Sequence, residues 1–95
     1  MPAPLSARQR AQLKAKAHAL GPVVRIGRAG VTEELAAETE RALTAHELIK
    51  VSIAVADRGE RAALGDALAE RLGAVPVHRV GKILILWRPR PAAPE

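Results

Sequence analysis

Ninety-five residues fit one domain with a small core. The absence of cysteine excludes disulfides and thiolate metal sites and fits a reducing compartment. No apolar run approaches a membrane span, and residues 1–30 lack a signal-peptide core, so a soluble cytoplasmic protein is expected.

The net charge of +5 is unevenly spread. Residues 1–31 carry Arg8, Arg10, Lys14, Lys16, Arg25 and Arg28 and no acid. Residues 32–73 hold nine acids against five bases, and residues 74–95 four bases and one acid. The chain is rich in Ala and Arg, as a base-composition bias in its gene would make it, but such a bias does not exclude acids from the first 31 positions. A positive field confined to one end is the footprint of a polyanion-binding face.

Residues 1–4 read as a frayed leader. Ser6 and Gln9 form a capping box that opens a first helix running to about Leu20, where Gly21-Pro22 stops it. Leu13, Ala17 and Leu20 share its apolar face. Arg10, Lys14 and His18 form a stripe on one flank, with Lys16 and Arg8 on the other. A solvated helix face normally mixes signs, and this stripe has no negative partner.

Pro22 to Ile26 reads as the first strand. Gly27-Arg28-Ala29-Gly30 follows, before a helix that Thr32 caps and that runs to about His46. Two glycines three apart permit a sharp turn and close approach of another backbone. The following helix N-terminus and the Arg28 guanidinium both favour phosphate. A strand-to-helix turn needs glycines in any case, and Glu33 and Glu34 can satisfy the helix dipole themselves. Leu35, Ala36, Thr39, Ala42 and Leu43 form the buried face of this second helix, and His46 falls on it as a packed histidine.

Ile49 to Val55 alternates as a strand, with Ile49, Val51, Ile53 and Val55 on one face and Lys50, Ser52 and Ala54 on the other. Asp57 and Glu60 cap a third helix, whose Leu64, Leu68 and Leu72 form one apolar row and which Gly73 ends. Gly65, in its interior, implies close packing. The runs 75–80 and 83–88 flank Gly81-Lys82, a hairpin of the II′ type, with Pro76 favouring an edge strand. Residues 90–95 read as a Pro-rich disordered tail.

The order α-β-α-β-α-β-β predicts an α/β two-layer sandwich with a mixed four-stranded sheet, as a single domain over residues 5–89. With Trp87 alone, and assigned to packing, an aromatic base-stacking platform is excluded. The three histidines share no metal-ligand spacing, and no nucleophile–base pair or P-loop is present. No enzymatic activity, cofactor or metal is expected.

Leu13-Lys14, Ala17-His18 and Leu20, then Pro22-Val23-Val24, Gly27 through Thr32, His46-Glu47-Leu48-Ile49-Lys50-Val51, and Gly81-Lys82 through Pro89 together resemble the CRM domain family, more narrowly its stand-alone bacterial YhbY-type members. Arg28 stands where lysine is frequent, Val31 replaces a usual leucine and Trp87 a usual tyrosine. The resemblance implies a fold similar to the C-terminal domain of translation initiation factor three, and RNA binding through the GxxG loop and nearby basic surface. It also implies association with ribosomal RNA in precursors of the large subunit. The expected RNA contacts are Arg10, Lys14, Lys16, Gly27, Arg28, Ala29, Gly30, Lys50 and Lys82, with Arg88 as an outlying one. The protein is expected to act as a monomer in ribosome assembly, with no membrane or small-molecule partner. The alternative is a protein–protein module whose basic face meets an acidic surface.

Overall fold

The structure, a computed structural model, describes residues 5–89. The leader expected at 1–4 and the tail expected at 90–95 lie outside the described residues. The elements are α1 (Ala7–Ala17), β1 (Pro22–Ile26), α2 (Glu33–His46), β2 (Leu48–Ile53), α3 (Arg58–Leu72), β3 (Val75–Val80) and β4 (Ile83–Trp87). The sheet order is β1-β2-β4-β3. β1 and β2 pair in parallel, while β4 runs antiparallel to both β2 and β3. The closing hairpin therefore inserts β4 into the centre, and β3, with Pro76, becomes an edge as expected.

Local chemistry accounts for the boundaries. Ser6 and Gln9 make the reciprocal capping box of α1. Thr32 Oγ1 accepts from the Leu35 amide at 3.1 Å, and Asp57 Oδ1 from the Glu60 amide at 2.8 Å. Gly73 ends α3 with φ +64°, and Gly81 turns the hairpin with φ +57°. At the joint between α2 and β2, Glu47 holds φ +62°, uncommon for a residue with a Cβ. Its amide donates to the Leu43 carbonyl and its carbonyl accepts from the Arg88 amide, each at 2.8 Å. The His46-Glu47-Leu48-Ile49-Lys50 string thus marks how helix meets strand.

Both faces of the sheet are used. α2 and α3 lie on one, where Val24, Ile26, Ile49, Val51, Ile53, Leu84 and Leu86 meet Leu35, Leu43 and Leu68. α1 lies on the other, where Ala17, with Leu13 and Leu5, packs on Leu48, Val77, Ile85 and Trp87. The two-layer description fits α2 and α3 against the sheet; α1 adds a partial third layer. Thr39, buried between α2 and the sheet, donates its hydroxyl to the Leu35 carbonyl at 2.7 Å.

Two expectations are corrected. α1 ends at Ala17, not near Leu20, because its last turn tightens: the His18 amide donates to both Lys14 and Ala15, and that of Leu20 to Ala17. Leu20 consequently leaves the apolar face and is 40% exposed. His46, expected to be packed, is exposed beside Lys16 and Leu20, because the last turn of α2 extends beyond the core.

Gly65 is buried against the sheet, and a Cβ there would sit 3.0 Å from Leu84 Cδ2 and 3.4 Å from Ile53 Cδ1. Gly65→Ala gains about 1 kcal/mol of helix propensity. Overpacking against the fully buried Leu84 costs about 1–3 kcal/mol, so the net effect is a destabilisation of about 1 kcal/mol. Urea denaturation checks this; a raised midpoint contradicts the packing account.

Candidate nucleic-acid interface

The sheet divides the charges. All nine carboxylates among the described residues belong to α2, α3 or their caps: Glu33, Glu34, Glu38, Glu40 and Glu47 on the α2 side, Asp57, Glu60, Asp66 and Glu70 on the α3 side. The ion pairs follow them. Arg71 meets Glu33 at 2.5 Å, Arg79 meets Asp66, and Arg88 meets Glu40. Arg88 also donates to the Leu72 carbonyl at 3.0 Å and the Thr44 hydroxyl at 3.1 Å. This residue, expected as an outlying RNA contact, instead ties the end of β4 to α2 and α3.

Among the described residues no carboxylate belongs to α1 or to the strand faces beneath it. Lys50 and Ser52 of β2 point there, because Ile49, Val51 and Ile53 point to α2 and α3. Arg25 of β1 is in register with Ser52 and shares that face. Lys14 and His18, one flank of α1, border the same surface with Lys50 and His78.

Arg10, expected as an RNA contact, is bonded within the fold. Its Nη1 donates to the Pro76 carbonyl at 3.0 Å and also to the Val77 carbonyl. These two oxygens lie at the irregularity in β3, where the register with β4 shifts between Pro76 and His78. Arg10 thus fastens α1 to the sheet. That docking turns Lys14 and His18 toward the open half of the face, while Lys16 lies on the other flank, near Leu20, Val23, His46 and Leu48.

The glycine loop continues from the end of β1, two residues past Arg25, which is about 7 Å along a strand. The Gly30 amide donates to the Gly27 carbonyl at 3.1 Å, leaving Arg28 and Ala29 exposed at the tip. Among the described residues none accepts a hydrogen bond from the Arg28 or Ala29 amide. Within the loop only Gly30 has a positive φ, +71°. A Cβ on Gly27 would meet nothing within 4 Å. The folded chain therefore needs a glycine at 30 but not at 27.

The helix dipole behind the loop is not open to an anion. Thr32 caps α2, and Glu33 and Glu34 occupy its first turn. The Glu33 carboxylate is directed to Arg71 of α3, away from the loop tip. The loop borders Ala54, Val55 and Leu64 on its α3 side, where Glu60 is the one carboxylate.

The sequence-level candidates therefore divide. Lys14 and Lys50 border one concavity and Arg25 shares that face of the sheet, while Gly27, Arg28 and Gly30 line a separate concavity with Ala54, Val55, Glu60 and Leu64. Lys16 stands apart from Lys14, and Lys82 sits exposed in the β3–β4 turn, its carbonyl accepting from the Ile53 amide at 2.7 Å. Arg25, His18 and His78 join the face without having been singled out as contacts. The alternation of β2 announced Lys50, but only the strand register places Arg25 beside Ser52 on the same face.

Residues 5–88 match the family model of the CRS1/YhbY (CRM) domain. This chain belongs to the CRM-domain family. An RNA-binding protein of Haemophilus influenzae is 46% identical over 85 residues, spanning 90% of this chain and 86% of its own. A probable RNA-binding protein of Pseudomonas aeruginosa is 41% identical over 87 residues, spanning 92% and 84% respectively. The solution structure of a hypothetical protein from Staphylococcus aureus superposes with a TM-score of 0.81 at 25% identity, covering 93% of this chain and 92% of that one.

In this CRM domain the two loop glycines are physically unequal, and that is measurable. Gly27→Ala leaves stability unchanged or raises it by about 0.5 kcal/mol, through a less flexible unfolded chain. Gly30→Ala forces a Cβ into the left-handed region and costs about 1–2 kcal/mol. Thermal or urea unfolding of the two variants separates them; equal losses contradict the assignment.

Proposed function

We propose that this protein binds RNA by its sugar–phosphate backbone, across the carboxylate-free face that runs from α1 over β2 and β1 to the GxxG loop. The observation that carries the reading is the charge on the α1 face: Lys14, Lys50 and Arg25 lie there while every described carboxylate belongs to α2, α3 or their caps, and Arg28 is exposed at the tip of the loop that follows β1. Cations without partners are free to neutralise phosphates, whereas those paired to carboxylates are already neutralised. The names of the Haemophilus and Pseudomonas relatives, both RNA-binding, support the same reading.

Gly27 supports a role for the loop itself. Neither backbone conformation nor packing demands glycine there, and an absent side chain admits a phosphate to the Arg28 and Ala29 amides. Arg28 adds a fork of donors at the tip. Arg10 acts in this reading as the anchor of α1, and Lys16 and Lys82 as peripheral charges. The resemblance to stand-alone bacterial CRM proteins extends the proposal to cytoplasmic precursors of the large ribosomal subunit, with the protein acting in assembly rather than catalysis.

With about four phosphates engaged, log affinity for single-stranded RNA falls with log salt at a slope near −3. Gly27→Asp, which places a carboxylate at the grip without disturbing packing, and Arg28→Ala each weaken binding by about tenfold. Fluorescence anisotropy on a labelled RNA measures both; a flat salt response with wild-type affinity in both variants contradicts the loop grip. If the basic face instead meets an acidic protein surface, the 260/280 nm absorbance ratio of the purified protein is unchanged by nuclease. The RNA reading predicts that the ratio falls.

A further inference from the structure

Between α1 and the open half of the sheet lies a shallow concavity whose composition exceeds what a phosphate track needs. Its walls are Lys14 and His18 from α1, Lys50 from β2 and His78 from β3. Its floor is aliphatic: Val80, Ile83 and Ile85. Val80 is 59% exposed, one of the few large apolar side chains left open to solvent. Phosphate oxygens gain nothing from an isoleucine floor. A planar, weakly polar ring gains both from burial against aliphatic carbon and from stacking on imidazole.

We propose that this concavity is a subsite for one unpaired nucleobase of the bound RNA. The inference rests on the RNA-binding reading above and adds to it what the face takes besides phosphate. The base lies on Val80, Ile83 and Ile85, with the His18 and His78 rings on facing walls. Lys14 and Lys50, at the rim, hold the phosphates on either side of it. A duplex cannot fill the concavity, because its bases are stacked and paired, so the site selects single-stranded or bulged segments. One nucleotide is enough; the chain has no row of rings for a longer platform. A metal site is disfavoured at the same place, because two ammonium groups border the two imidazoles and repel a cation.

Three probes test this with the full chain: a single-stranded RNA decamer, an abasic ribose–phosphate decamer of the same length, and a ten-base-pair RNA duplex. The base-bearing single strand should bind about tenfold more tightly than either of the others, the scale of one stacked base. Replacing His18 and His78 together by alanine should remove most of that advantage, so that the base-bearing and abasic strands bind alike. Lys14→Ala should weaken both single strands. In the wild-type protein the ring protons of His18 and His78 should shift on adding the base-bearing decamer and not the abasic one. His46, on the other flank, serves as the unmoved reference. Equal binding of the two single strands with unmoved His18 and His78 resonances overturns the subsite while leaving the backbone grip intact. Failure of every probe to bind overturns both.

Discussion

Arg10 spans α1 and β3, donating from one guanidinium nitrogen to two successive carbonyls at the irregularity of an edge strand. An 11-residue helix is marginal by itself, so α1 exists because it is docked. Leu5, Leu13 and Ala17 supply the apolar part of that docking, on Leu48, Val77, Ile85 and Trp87. Arg10 supplies the directional part, through its bonds to the Pro76 and Val77 carbonyls. With the helix held in that rotation, Lys14 and His18 border the open sheet and Lys16 does not.

The sheet then works as a partition between two charge fields. On one side carboxylates and arginines pair, as in Arg71 with Glu33 and Arg88 with Glu40, and their fields largely cancel at a distance. On the other, lysines and arginines stand without a described carboxylate, and their fields add. The net charge of +5 understates the positive potential on the α1 face, because it averages the two. β2 sits at the centre of this arrangement. Its alternation sends Ile49, Val51 and Ile53 into the core and Lys50 and Ser52 to the basic face.

Much of the fold was legible because its signals are local. The caps at Ser6, Thr32 and Asp57, the stops at Gly73 and Gly81, and the alternation of β2 all depend on residues within a few positions of one another. What escaped depends on contacts distant in sequence. Nothing near Arg10 announces that its acceptors lie 66 and 67 residues away. Arg88 reads as a free cation until α2 and α3 are brought against it, and Arg25 reads as an ordinary strand residue until register sets it beside Ser52. His46 was misplaced for the opposite reason: helical periodicity continues past the point where the core ends. The glycine loop was legible as a turn, but the inequality of Gly27 and Gly30 lies in a φ angle and an empty Cβ position.

In the proposed binding mode the side of the sheet on which a charge sits, rather than total charge, governs association with RNA. Lys14→Glu and Arg41→Glu alter the net charge identically, and both residues are exposed, the first on the basic face and the second on α2. Titrating labelled single-stranded RNA with each variant at fixed salt should show Lys14→Glu weakened by about tenfold and Arg41→Glu by less than about twofold. Equal losses in the two variants would contradict the claim.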